Sequence, residues 1–130
     1  MNRIGAFRGR KFTIAYARDK SGESPGATFF ESLSLEDKAK LMNLFRLAAD
    51  HGWFHNDQKF GDLGEGLFEF KSHQIRMPFA CAKERGLILI THGFHKKKVK
   101  TPKEEIERGR RLFREDQERT RLRLIGKRDK

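Results

Sequence analysis

The run "KFTIAYA", starting at Lys11, sets Phe12, Ile14 and Tyr16 at every second position, the period of a strand with one buried face. The turn "DKSGESPG" follows, and its end doubles as a helix start. Ser24 can cap the first turn, and Pro25 can take the first helical position, where a missing N–H is harmless. Phe29, Phe30 and Leu33 then face the core. A second helix begins at Ser34, with Asp37 three residues on as a variant of the capping box. Leu41, Leu44, Phe45 and Ala48 keep helical spacing behind it, and Gly52 fits the left-handed residue that closes such a helix.

Three strand patterns come next: "GLFEFKS" from Gly66, "QIRMPFACA" from Gln74 and "LILITHGF" from Leu87. The gaps between them suit hairpins, so the three should be antiparallel neighbours. In the second, Ile75, Met77, Phe79 and Cys81 share one face, and Arg76, Pro78 and Ala80 the other. Pro78 cannot donate to a ladder and predicts a bulge or a free edge. The third run is apolar on both faces, as a central strand would be. "TPKE" from Thr101 then carries a hydroxyl cap, a proline and an early glutamate, a strong helix start. Ile106, Leu112 and Phe113 can dock that helix, and Gly109 either weakens it or permits close packing. The order is strand, two helices, three antiparallel strands and a C-terminal helix, an α+β fold.

Length keeps this to one domain over residues 1–130. The first ten residues and roughly 115–130 read as flexible basic ends. Twelve phenylalanines against one tryptophan and one tyrosine predict a core built on Phe. The net charge of +11 is uneven: residues 1–20 carry +5, residues 21–92 carry −2 and residues 93–130 carry +8. Excess charge at the ends favours a polyanion, because Lys and Arg contacts to phosphate release counterions. Cys81 is the only cysteine, which excludes an intrachain disulfide and suits a reducing cytoplasm. Its place in an apolar strand assigns it to packing. "MNRIGAFRGRKF" lacks the apolar core of a signal peptide, and no apolar run approaches the ~20 residues of a membrane helix.

The densest charge lies in "HGFHKKKVKTPKEE", residues 92–105. Lys96, Lys97, Lys98 and Lys100 leave the third strand just before a helix N-terminus, where free N–H groups add partial positive charge. Arg76 on the middle strand and Lys71 on the first could join them on one side of the sheet. The bland reading competes: a charge run is usually a solvated face, and Arg76 could simply pair with Glu69 across the hairpin. His92 and His95 flank Gly93-Phe94, so one of them could reach a basic cleft, although parity groups His92 with Ile88 and Ile90, as a packed histidine. His51 and His55 are separated by Gly52, and one cysteine without clustered carboxylates gives no zinc pattern. Phosphate loops of the P-loop and dinucleotide kinds are absent, as is a serine elbow.

Read together, "GLFEFKSHQIRMPFAC" and "GLILITHGFHKKKVKTPKEEIERGRR" resemble the phage-derived branch of the RelE/HigB toxins, in the RelE/ParE superfamily of type II toxin–antitoxin systems. That pattern has a G-L-[YF]-E-[LF]-[RK] strand, a strand with a central Arg, an apolar strand ending H-G-F-x-K-K and a T-P-x-x-E-I helix. Residues 59–112 match it closely and residues 11–58 in arrangement only. The resemblance implies a RelE-like fold and a ribosome-dependent, metal-independent mRNA endonuclease that inhibits translation, with no cofactor. Its implied partners are a helix-turn-helix antitoxin of the HigA kind, mRNA and the 70S ribosome, with operator DNA reached only through the antitoxin and no membrane.

By matching position, Arg76 would clamp the scissile phosphate, and Lys96 and Lys97 would bind phosphates or move protons. Lys71 would support them, and His92 is a further catalytic candidate. Lys98, Lys100, Phe94 and His95 would bind RNA. Some relatives use a C-terminal tyrosine, but Tyr16 is the only one here, so base stacking would fall to Phe94 or His95. Two other readings stand beside this one: a gyrase-inhibiting toxin of the same fold, and a non-catalytic RNA- or ribosome-binding module.

Overall fold

A computed structural model describes residues 2–53, 56–97 and 99–128. The alternating run from Phe12 forms β2 (Thr13–Tyr16), and the basic segment before it, expected to be loose, forms β1 (Gly5–Arg8). These two pair antiparallel across a tight turn. The helix starts fall where hydroxyl and proline place them: α1 spans Pro25–Glu31 after Ser24, and α2 spans Leu35–His51 after Ser34. The Ser34 side chain accepts the Asp37 N–H at 3.1 Å, while Ser24 makes no side-chain cap. Gly52 closes α2 at φ 86°, a value side chains rarely adopt.

The remaining strands are β3 (Phe60–Gly64), β4 (Leu67–Ser72), β5 (Ile75–Cys81), β6 (Leu87–Ile90) and the short β7 (Phe94–His95), followed by α3 (Lys103–Arg128). The sheet runs β1-β2-β6-β5-β4-β3, with β7 also on β5. As hairpin spacing required, β4, β5 and β6 are antiparallel neighbours. β2 lies parallel to β6, which the intervening helices make possible by acting as the crossover. Central β6 buries Ile88, Leu89 and Ile90 completely.

Pro78 makes no bulge in the β4–β5 register; the expected irregularity lies on its other flank, where residues 91–93 between β6 and β7 stand opposite only Met77 and Pro78. The Pro78 carbonyl accepts Thr91 N–H at 2.9 Å, so its nitrogen faces the same flank. That flank is where β6 has ended and β7 has not begun, so no ladder bond is lost.

Strand parity separates two layers. Ile14, Tyr16, Phe70, Met77, Phe79, Ile88 and Ile90 pack with Leu41, Leu44, Phe45 and Ala48 of α2 in a phenylalanine-rich core. On the other face Ala15, Ala17 and Leu89 meet Phe113 of α3. Gly109 lets α3 close on the sheet: a Cβ there would meet Leu67 at 3.3 Å and Thr91 at 3.4 Å. Cys81 does not join the core. It ends β5 and is exposed, because the packed face stops at Phe79.

The N-terminal segment is tied to α3. The carboxylate of Asp116, wholly buried, accepts from Arg3 Nη2 at 2.6 Å and from the Arg18 backbone N–H at 2.7 Å. Thr120 Oγ1 takes further bonds from both guanidinium groups. No helix among the described residues is long and apolar enough to cross a membrane.

The β1–β2 turn presses Gly9 onto the C-terminal half of α2. A Cβ on Gly9 would stand 2.6 Å from the Ala49 carbonyl carbon and 2.8 Å from its oxygen. Backbone atoms cannot rotate aside, and that oxygen already accepts from Lys11 and Phe12 N–H. Gly9→Ala is therefore expected to destabilise by about 1–3 kcal/mol in urea unfolding. Gly5→Ala, with nothing within 4 Å of its Cβ, serves as the near-neutral control.

Candidate functional site

The face of the sheet that carries α3 is not covered to its end. In β4 the alternation puts Leu67, Glu69 and Lys71 on this side, and the register sets Lys71 opposite Arg76 and Glu69 opposite Pro78. Leu67 is buried close to α3 at Gly109, but α3 does not begin until Lys103. Glu69, Lys71 and Arg76 are left in a cleft of about 510 Å³, whose lining also includes Gly61, Asp62, Lys96, Lys100, Thr101 and Ile106. A larger groove of about 940 Å³ lies at the far end of α3, rimmed by Lys20, Arg114, Arg119 and Arg123. It is basic but has no sheet residue in its lining apart from the approach of Arg18, and Arg18 is engaged with Asp116. The smaller cleft combines cations, carboxylates and a hydroxyl on strands of the sheet and at the start of α3.

Arg76 is 8% exposed, and its guanidinium is oriented by the chain itself. Nη1 donates to the carbonyls of His73 at 2.7 Å and Ile75 at 2.9 Å. Nε stands 3.9 Å from Glu69 Oε2, within ionic reach but beyond a hydrogen bond. Lys96 follows β7, its backbone N–H bonded to Gln74 and its ammonium donating to the Val99 carbonyl at 3.0 Å. Lys96, Val99 and Lys100 all line the cleft.

Thr101 was expected to cap the last helix. Its hydroxyl instead lies 2.8 and 3.0 Å from the two oxygens of Glu69. The helix start is completed by the Pro102 carbonyl, which accepts from Glu105 and Ile106. Burial pushes the Glu69 carboxyl above its usual pKa, despite the opposing pull of Thr101, Arg76, Lys71 and Lys96.

Of the residues singled out from the sequence, Arg76, Lys71, Lys96 and Lys100 come together in this cleft. Lys97 is exposed and is not part of the lining. Lys98 lies outside the described residues, as does His55. Phe94 is buried with its ring 5.7 Å from that of His92, so its face is not offered to a base. His95 is exposed, 5.4 Å from Phe29.

His92 is fully enclosed and takes no part in the cleft lining, a packed histidine as expected, but because β6 ends at Ile90 it faces α3 and not the layer of Ile88 and Ile90. Nε2 lies 3.2 Å from Glu105 and Nδ1 2.9 Å from the Thr91 hydroxyl. A carboxylate only accepts, which assigns the proton to Nε2 and leaves Nδ1 to accept from Thr91. Burial, with Arg108 and Arg111 nearby, pushes the ring pKa down to about 3, so the ring is neutral. The unfolded chain binds a proton below about pH 6.5 that the folded chain refuses. This contribution is therefore complete above pH 6.5 and is lost as pH falls toward 3, at up to about 1.4 kcal/mol per pH unit. Urea midpoints measured across that range should show the slope in the wild type, and a shallower one in His92→Gln.

Glu69 and Thr101 were not legible as site residues. The hairpin pattern offers Glu69 only as a partner for Arg76, and the helix-start pattern offers Thr101 only as a cap. The available signal was a charged residue between Phe68 and Phe70 on the face shared with Lys71.

The model of the family described as "Phage derived protein Gp49-like (DUF891)" matches residues 28–114, two thirds of the chain. The chain belongs to this family. It is a family associated with toxin–antitoxin modules, which suggests an antitoxin as partner. No curated protein matches the chain. In this Gp49-like protein the matched segment contains β3 to β7 and the first part of α3, and so every strand that lines the cleft.

Proposed function

We propose that this Gp49-like protein is the toxin of a type II toxin–antitoxin module of the RelE/HigB kind, acting as a ribosome-dependent mRNA endonuclease. The observation that carries the reading is one cleft lined by Arg76, Lys71, Lys96 and Lys100 together with the buried Glu69 and with Asp57 and Asp62. Four cations from three separate segments exceed what a solvated face requires, and their shared target is a phosphate.

RNA supplies its own nucleophile. The 2′-oxygen attacks the adjacent phosphorus, the bond to the 5′-oxygen breaks, and the products are a 2′,3′-cyclic phosphate and a free 5′-hydroxyl. The protein has to align the backbone, stabilise charge on the phosphorane and handle two protons. Arg76, held by two carbonyls, is oriented before substrate arrives. Lys71, Lys96 and Lys100 add charge around the developing oxyanions. The ribosome presents the message extended and single-stranded, as in-line attack needs.

The test is induction in a bacterium with primer extension on a reporter message, beside the same message lacking its start codon. Cuts inside translated codons, absent from the untranslated control and bearing 5′-hydroxyl ends, support the reading. Intact transcripts with altered plasmid supercoiling would move the action to gyrase. Ribosome binding without cleavage would leave only a binding module.

A further inference from the structure

We infer that Glu69 is the general base of this cleft, taking the 2′-hydroxyl proton, with Thr101 and Gly61 as its positioning residues. The inference rests on the ribonuclease reading and deepens it. Glu69 is 5% exposed, yet its carboxylate is part of the cleft lining among the cations that would hold the phosphate.

Two features separate it from a mere countercharge for Arg76. A structural ion pair in a buried site is normally closed by direct, often bidentate hydrogen bonds. Here the Arg76 Nε to Glu69 Oε2 distance is 3.9 Å, and Arg76 Nη1 is spent on the carbonyls of His73 and Ile75. The described donor to the carboxylate is a neutral hydroxyl, that of Thr101. One hydroxyl cannot saturate a carboxylate, which has about four lone-pair sites.

The second feature is the space made for it. β3 passes opposite Glu69 with Gly61 in register. A Cβ on Gly61 would stand 2.9 Å from Oε2 and 3.0 Å from Cγ, so any side chain there displaces the carboxylate. Glycine on one side and the threonine hydroxyl on the other hold the carboxylate in place. Burial raises the carboxyl pKa, which brings a carboxylate closer to the basicity useful near neutral pH.

The step balances. The 2′-hydroxyl proton passes to a Glu69 oxygen as the O2′–P bond forms, the P–O5′ bond breaks, and the leaving 5′-oxygen takes a proton from water or a lysine ammonium at the cleft. Glu69 returns its proton to solvent before the next turnover.

The experiment is single-turnover cleavage of a defined message on programmed ribosomes, followed against pH with the full-length protein. The charged groups facing Glu69 are Lys71, Arg76, Lys96 and Lys100, and Asp57 and Asp62 line the same cleft, so Asp57→Asn and Asp62→Asn profiles are recorded alongside. Glu69→Gln should lower the cleavage rate by roughly 10²–10⁴-fold, with ribosome affinity little changed, and abolish the acid limb of the profile. Thr101→Val, which removes a bond favouring the ionised carboxyl, should move that limb to higher pH; this holds even if Glu69→Gln folds poorly. Wild-type rates and an unchanged acid limb in both variants would overturn the assignment while the nuclease stands. An acid limb that disappears in Asp57→Asn or Asp62→Asn instead also overturns it. Absence of cleavage by the wild type sinks the ribonuclease reading itself, and the inference with it.

Discussion

Arg76→Ala should abolish toxicity on induction and lower cleavage on programmed ribosomes by about 10²–10³-fold, or about 2.7–4 kcal/mol of transition-state stabilisation. The expectation follows from how the guanidinium is held. Its Nη1 is anchored to the carbonyls of His73 and Ile75, at the turn between β4 and β5, while the side chain lines the cleft. On the proposed ribonuclease reading the donor is thus oriented before RNA would bind, and no reorganisation would be needed as charge develops on the phosphorane. Arg76→Lys keeps the charge but loses both the anchoring and the planar fork, so most of the deficit should persist. Because Arg76 also closes that turn, the variants are to be compared at matched folded fractions, measured by near-UV circular dichroism. An Arg76→Ala protein that cleaves at the wild-type rate would remove Arg76 from the mechanism.

The second large effect concerns stability. Asp116→Ala should cost about 3–5 kcal/mol, read as a lower urea midpoint. Asp116 is fully buried on α3 and receives Arg3, the Arg18 side chain and the Arg18 backbone N–H. Removing it leaves a guanidinium with 5% exposure, that of Arg18, beside an empty site, and frees the strap that joins the N-terminus to α3. The sign with pH is also set. Burial pushes the Asp116 carboxyl up, but bonds from Arg3 and Arg18 together hold it below its ordinary value. A depressed carboxyl stabilises above the unfolded pKa of about 3.9, and this contribution is lost as pH falls through the lower folded value. The difference between wild type and Asp116→Ala should therefore narrow only in strong acid. Asp50→Ala, which loses one exposed bond to the Arg10 N–H, is the mild comparison.

Most of the regular elements could be read from local patterns. Ser34 and Asp37 mark a helix start because capping is settled within four residues, and Phe12, Ile14 and Tyr16 mark a strand because alternation is equally local. The strands that escaped notice lack such patterns. β3 reads "FGDLG" and β1 reads "GAFR", both poor in β-branched residues, and each is extended because a neighbour 10 or fewer residues away supplies its ladder. Cys81 shows the converse failure: its parity is right for the core, but the strand outlasts the packed layer.

The candidate site divides in the same way. Lys71 and Arg76 share a face by parity and hairpin register, so their meeting followed from the sequence. Lys96 and Lys97 are neighbours of identical chemistry, and only the course of the loop after β7 turned one into the cleft and left the other outside the lining.

Taken alone, then, the order of amino acids determined both early helix starts, the antiparallel order of β4, β5 and β6, most of their faces, the basic bias of the C-terminal third and a resemblance to phage-derived toxins. It did so because periodicity, capping and charge depend on residues close together in the chain. Tertiary structure decided that Thr101 would hold Glu69 rather than cap α3, that His92 would be sealed as a neutral ring, and that Arg3 and Arg18 would converge on Asp116. Those outcomes depend on which groups are taken out of water together. That is a property of packing between distant segments, and local pattern does not encode it.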